Sequence, residues 1–185
     1  MNNKELTFTE KKLIKCFDRP SIRIRIPRLE INQGKFPLVK NWPIFYEPLT
    51  IEKILEQGFN YGIRTGKKIG SYYLIVIDLD DKWANVRLPV NRFIKTSKGI
   101  HVYCLIKEQI PYLILENSQG DRIGELHRAN RQVVGIGSIH KTGIRYSLKL
   151  QGKSNSPWFC KFDSLKDLES FLNAQQIFCK NKLNF

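Results

Sequence analysis

The segment Ser71–Asp81, SYYLIVIDLDD, constrains the fold more than any other. Its centre, Leu74-Ile75-Val76-Ile77, is an unbroken apolar run, whereas a strand with one wet face alternates apolar and polar residues. The run therefore reads as a strand covered on both faces, in the middle of a sheet. It ends in Asp78-Leu79-Asp80. Residues two apart on a strand share a face, so these carboxylates project side by side. Like charges at the end of a buried strand are unfavourable unless something neutralises them. A divalent cation does so, and hard oxygen donors suit Mg²⁺ or Mn²⁺. A solvated acidic turn that includes Asp81 is the other reading, and the Asp-x-Asp pattern alone fits either.

The flanking sequence places this strand in an α+β chain. Residues 6–18, LTFTEKKLIKCFD, carry apolar residues at helical spacing with Glu10 early, which predicts a short amphipathic helix. SIRIRIPRLEI alternates Ile22, Ile24 and Ile26 with Arg23 and Arg25, which predicts a half-buried strand with a basic outer face, limited by Pro27. A loop with Pro37 and Pro43 follows, with Lys35, Lys40 and Trp42 at least partly exposed. TIEKILEQG reads as a helix capped by Thr50 and stopped by Gly58. FIKTSKGIHVYCLI reads as a turn at Ser97, Lys98 and Gly99 leading into a strand that begins near His101. RIGELH, RQVVGIGSIH and IRYSLKL continue as short strands, and residues 164–182 predict a closing amphipathic helix capped by Ser164 with a basic C-terminal end. Helices at both ends of a strand-rich middle indicate an α+β fold.

With 185 residues the chain fits one domain, or two tightly joined lobes, and 42% hydrophobic residues suffice for a core. Lys and Arg number 31 against 17 Asp and Glu, a net charge of +14. Such an excess attracts polyanions, nucleic acid above all, although charge can also serve solubility alone. Cys16, Cys104, Cys160 and Cys179 lack Cys-x-x-Cys spacing, which argues against a zinc knuckle or a disulfide framework. The polar N-terminus and the absence of a long apolar run predict an intracellular protein with reduced thiols and no membrane association.

Further groups could join the aspartates. In RIGELH, Glu125 and His127 share a strand face. Three carboxylates near strand ends in a basic chain suit two-metal phosphoryl chemistry, in which paired ions activate a hydroxyl and neutralise phosphate charge. Lys95–His101 has the makings of a phosphate cradle, with Gly99 allowing close backbone approach and Ser97, Lys98 and His101 as donors; an ordinary basic turn is the plainer reading. Asn60–Lys67 is a Gly-spaced basic loop without the order of a Walker A sequence. Gly135, Gly137, Ser138 and His140 form a third turn of similar chemistry. Trp42, Tyr46, Tyr61 and Trp83 could stack on bases or simply fill the core.

Taken in order, GKFPLVKNW, NYGIRTG, LIVIDLD, IKTSKGIHVYC and GELHRANRQVVGIGSIHKTGIRY resemble the primase–polymerase (prim-pol) family of the archaeo-eukaryotic primase superfamily, over roughly residues 34–146. The resemblance implies a single prim-pol catalytic domain over 1–185. An N-terminal αβ module (about 1–70) would pack against an RNA-recognition-motif-like catalytic sheet (about 71–150), with the active site in the cleft between them. It implies that Asp78, Asp80 and Glu125 bind two Mg²⁺ or Mn²⁺ ions. His101, Ser97 and Lys98 would meet the nucleotide phosphates, while Arg64, Ser138 and His140 line the nucleotide pocket. Arg23, Arg25, Arg28 and Lys40 are the candidate DNA contacts. The expected partners are a single-stranded template or primer-template, dNTP or NTP, and a separate helicase, in replication of a plasmid, virus or archaeal-type element.

The chain departs from the family in three places. It reads GIGSIH where many relatives have two prolines before the Ser, its third carboxylate is Glu125 rather than the frequent Asp, and it carries neither a Cys/His zinc insertion nor a helicase domain. Two other functions fit the same features. One is a metal-dependent nuclease, with paired carboxylates beside a basic groove. The other is a non-catalytic replication-initiator or single-strand-binding module.

Overall fold

The computed structural model describes residues 5–27, 37, 39–80, 88–151 and 157–181. The candidates Arg28, Lys35, Asp81 and Trp83 lie outside those residues. Helix α1 (Phe8–Phe17) begins where the sequence offers a capping box: the Glu10 amide donates to the Thr7 hydroxyl, and the Glu10 carboxylate accepts from the Thr7 amide. Its buried face is Leu13, Ile14 and Phe17. Strand β1 (Arg23–Ile26) follows, then α2 (Ile51–Glu56), capped by Thr50 and ended by Gly58 at φ +79°. Strand β2 (Asn60–Arg64) is buried at all five positions.

The remaining elements are β3 (Lys68–Ile69), β4 (Tyr72–Asp80), β5 (Arg92–Lys95), β6 (Gly99–Ile106), β7 (Leu113–Glu116), β8 (Arg122–His127), β9 (Gln132–Val134), β10 (Ser147–Leu150), β11 (Cys160–Phe162), α3 (Leu165–Asn173) and β12 (Phe178–Asn181). Among the described residues they make two sheets. A small antiparallel sheet runs β1-β2-β9, and a large one runs β10-β5-β6-β4-β8-β7-β12, with β11 added to β6 and β3 to β4. The fold is mixed α+β with mostly antiparallel pairing.

The apolar run of β4 sits at the centre of the large sheet, between β6 and β8, as its composition requires. Its two faces serve two cores. Leu74 and Val76 join Tyr103 and Leu105 of β6, Val133 and Val134 of β9, Tyr61 and Ile63 of β2, and the buried faces of α1 and α2. Ile75, Ile77 and Leu79 join Val102, Cys104 and Ile106 of β6 and Leu168 and Leu172 of α3. Period-two alternation thus sends the even positions of β4 into the layer between the sheets, and the same alternation carries on to Asp78 and Asp80.

The small sheet draws on both halves of the chain, since β9 pairs with β2, Gly62 opposite Val134 and Ile63 opposite Val133. Two expectations change. The C-terminal helix stops at Asn173 rather than continuing to 182. Gln176 adopts φ +59°, and Phe178–Asn181 then pairs with β7, placing Lys180 3.0 Å from Glu116. Nor does β1 present a basic outer face. Arg23 is buried, donating to the Leu49 and Glu47 carbonyls and pairing with Asp18 at 3.1 Å. Arg25 lies over the Phe59 ring and 3.9 Å from Glu47. Charged side chains so engaged hold the 47–49 segment on the sheet. Lys40, the other described candidate for DNA contact, is exposed.

Glu10 ties the chain ends together. Its buried carboxylate receives Arg145 at 3.0 and 2.9 Å and the Leu148 amide at 3.2 Å, joining α1 to β10. Burial pushes its pKa up, but the hydrogen bonds from Arg145, Thr7 and Leu148 and the Arg145 charge outweigh burial and hold it below the ordinary value. A depressed folded pKa stabilises the fold above the unfolded value, and that contribution fades as pH falls through the folded pKa. Glu10→Gln is therefore expected to lower stability at pH 7 by about 3 kcal/mol. The gap to wild type should narrow below about pH 4, as read by urea unfolding across pH. A gap of constant size would show that the charge of Glu10 is not its source.

Candidate active site

The site forms where the even-numbered side chains of β4 run out of core. Register sets Asp78 opposite His101 on β6 and opposite Glu125 on β8, so three polar groups from three adjacent strands meet on one face. His127, two residues from Glu125 on the same face, joins them. Asp78 lies between the two imidazoles: its Oδ1 is 3.4 Å from His101 Nε2 and its Oδ2 3.3 Å from His127 Nε2. His127 Nε2 is also 3.7 Å from Glu125 Oε2. Asp80, one alternation further along, is exposed at the rim.

Two backbone features let the strands close in here. Gly99 on β6 and Gly124 on β8 flank the end of β4, and a Cβ on either would collide with the carbonyl oxygen of Leu79 or Asp78 respectively. The second is a bulge in β8. Leu115 of β7 pairs with Gly124 while Glu116 pairs with Arg122, leaving Ile123 as an extra residue. On a regular strand, residues three apart point to opposite faces. The bulge instead brings Arg122 round to the Glu125 carboxylate as an ion pair, while Ile123 turns into the core that packs on α3.

The side chains enclose a cavity of about 330 Å³, whose lining comes from β4, β6 and β8 of the large sheet, from β9 of the small one, and from Tyr146. Asp78, Asp80, His101, Glu125, His127 and Arg122 all line it. Asp78 and Glu125, opposed on neighbouring strands, would repel one another, and the fold offsets this with imidazole, guanidinium and phenol groups. Burial, followed by the hydrogen bond to Glu125, pushes the Tyr112 phenol up to about 12, so this hydroxyl stays a donor. Burial also raises Tyr146, which shares a hydrogen bond with Ser97 and sits with its ring 5.9 Å from that of His101.

The phosphate-cradle residues divide by exposure. Lys98 is exposed and Ser97 half-buried at the turn beside the cavity, and the Lys98 amide donates to the Thr96 hydroxyl at 3.2 Å, which shapes that turn. His101 is nearly buried. Gly99 serves the close approach to Leu79 described above.

Arg64, Ser138 and His140, expected at the nucleotide, are not among the residues that line this cavity. Arg64 is 1% exposed, and its guanidinium donates to the carbonyls of Trp42, Phe45, Pro20 and Arg23. Ser138 is fully buried, accepting from the Tyr61 amide at 3.2 Å. His140 Nδ1 lies 2.9 Å from the Thr142 hydroxyl and accepts from the Thr142 amide. All three hold loops onto β2 or close a turn.

Several cavity residues carried no role in the sequence. His127 was legible in principle, since it shares the face of Glu125 by alternation. Arg122 depends on the bulge, and Gln132 and Tyr146 arrive from elements distant in sequence. The expected metal donors Asp78, Asp80 and Glu125 all line the cavity, yet among the described residues no group of three His, Cys, Asp or Glu side chains is placed to hold an ion. Their chemistry still suits a hard divalent ion, the imidazoles adding nitrogen donors that Mn²⁺ accepts more readily than Mg²⁺.

Compared with models of known protein families and with curated proteins, the chain matches none. Among the described residues no helix is long and apolar enough to cross a membrane.

Proposed function

We propose that this protein is a metal-dependent nucleotidyltransferase of the prim-pol type, extending or starting a nucleic-acid strand on a single-stranded template. The observation that carries this reading is the convergence of Asp78, Asp80, Glu125 and His101 on one wall of a cavity between two sheets, in a chain of net charge +14. Polar side chains on adjacent antiparallel strands, facing a smaller αβ layer, also suit the RNA-recognition-motif-like core of that family.

Asp78, Asp80 and Glu125 would hold divalent Mg²⁺ or Mn²⁺, which supplies charge neutralisation of a triphosphate and activation of a 3′-hydroxyl. Arg122 must then release Glu125 and turn to the incoming phosphates, a swap its exposed position permits. Lys98 at the turn attracts the triphosphate, and His101, held by Asp78, donates a hydrogen bond toward it. His127 on the opposite side of Asp78 fixes that carboxylate in position. The reaction joins the hydroxyl to the α-phosphate and releases pyrophosphate. DNA template or primer-template and dNTP or NTP are the substrates, with a separate helicase as an expected partner.

A second reading has its own observation. Asp78 and Glu125 already have protein partners in His101, His127 and Arg122, so a non-catalytic DNA-binding module could keep this arrangement without any ion. The deciding experiment supplies labelled nucleotides with Mn²⁺ or Mg²⁺ on a bare and on a primed single-stranded template. Product on either, dependent on the metal, is expected. Binding of DNA without product on either would favour the second reading, and degradation of the template without nucleotides would make the protein a nuclease.

A further inference from the structure

A second cavity, of about 340 Å³, opens on the other edge of β6, lined by Val90, Asn91, Arg92, Tyr103, Trp158 and Cys160 among others. It lies where one neighbour of β6 gives way to another. Strand β5 pairs with the start of β6 at Ile94–His101 and Lys95–Ile100, and β11 pairs with its end from Cys104 onward. The first pair in the β11 ladder is Cys160 opposite Cys104, in parallel register. Adjacent strands are about 4.8 Å apart, inside the Cα separation of about 4.4 to 6.8 Å that a disulfide spans. Both thiols belong to the core layer that packs on α3. Their surroundings differ: Cys104 is fully buried, whereas Cys160 is half-buried and lines the cavity.

We propose that Cys160 and Cys104 form a peroxide-responsive dithiol, with Cys160 as the thiol attacked through the cavity and Cys104 as the resolving thiol. Geometry sets the division of labour, and electrostatics agree with it. A hydrogen bond from the Cys104 thiol lowers the pKa of Cys160 against the effect of its own burial, while burial raises Cys104. The two other thiols are poor competitors, since burial pushes Cys16 up and Cys179 up to about 12.

The chemistry balances with hydrogen peroxide as the oxidant. The Cys160 thiolate attacks one peroxide oxygen, the O–O bond breaks, and hydroxide leaves and takes up the proton that Cys160 had released. The resulting sulfenic acid is attacked by Cys104 sulfur. The S–O bond breaks, the Cys104 proton leaves with the hydroxyl as a second water, and the S–S bond fastens β11 to β6. Two thiols and one peroxide become one disulfide and two waters, and a dithiol reductant reverses the change.

The test treats the reduced full chain with equimolar hydrogen peroxide, blocks remaining thiols with N-ethylmaleimide and maps the peptides by mass spectrometry. The expected result is a Cys104–Cys160 cross-linked peptide, lost on reduction, with Cys16 and Cys179 alkylated. Cys160→Ser should abolish the cross-link, and Cys104→Ala should leave a sulfenic acid at Cys160 that dimedone traps. Equal alkylation of all four thiols after peroxide, a cross-link through Cys16 or Cys179, or no dimedone adduct in a folded Cys104→Ala protein would each overturn the proposal. Should Cys104→Ala not fold, the wild-type cross-link map alone decides.

Discussion

Asp78→Asn is expected to reduce metal-dependent nucleotide incorporation about a thousandfold or more while leaving the protein folded. Asparagine keeps the shape of aspartate but removes the charge that a divalent ion needs, and one of its terminal atoms becomes a donor. Asp78 is the carboxylate at the centre of the three strands. It stands opposite both His101 and Glu125 and lies within 3.4 Å of two imidazoles. The fold does not depend on its charge, because Leu74 and Val76 on the same face of β4 supply the packing and the backbone ladder to β6 and β8 is independent of the side chain. The thermal midpoint should therefore stay close to that of wild type. Asp80→Asn should act in the same direction and less strongly, since Asp80 sits at the exposed rim. Primer extension with Mn²⁺, paired with thermal melting followed by circular dichroism, checks both. A folded Asp78→Asn protein that incorporates nucleotides at the wild-type rate would remove the carboxylate face from the chemistry.

Arg64→Ala is expected to destabilise the fold by about 3 to 5 kcal/mol, the range for removing one partner from a buried charged network. The guanidinium gathers four main-chain carbonyls, those of Pro20, Arg23, Trp42 and Phe45, and so ties together three separate stretches of chain. The five-donor fork of arginine is suited to this, and the compact ammonium of lysine is not. Arg64→Lys should therefore recover only part of the loss. Urea unfolding of the two variants measures the effect. The converse outcome, wild-type stability with weakened nucleotide affinity, would return Arg64 to the nucleotide pocket that the NYGIRTG resemblance implies.

The contrast between these residues shows what the sequence discloses. Asp78 and Asp80 were legible because strand alternation is a local rule: once the apolar run fixed β4 as central, the two carboxylates had to share the face that Leu74 and Val76 present to the inner core, while the place of Glu125 beside them rests on the β4–β8 register. The caps at Thr50 and Ser164 were visible for the same reason, since a cap spans only three or four residues. What escaped was set by partners far along the chain. Arg23, Arg25 and Arg64 look alike in the sequence, basic residues on strands, yet Glu47, Asp18 and a set of carbonyls claim them. A charge pattern cannot tell a solvated arginine from one that organises a loop. The role of Arg122 depends on a one-residue bulge, and that of Phe178–Asn181 on an open edge of β7, neither of which has a local signature here.

The central claim is that Asp78, Asp80 and Glu125 bind a divalent cation for nucleotidyl transfer. Mn²⁺ binding followed by electron paramagnetic resonance, on the wild-type chain and on Asp78→Asn, tests it most directly. Saturable binding by the wild type is expected, strengthened when dNTP is added and at least tenfold weaker in the variant. Equal binding by the two proteins, or no saturable binding by wild type with dNTP present, would contradict it.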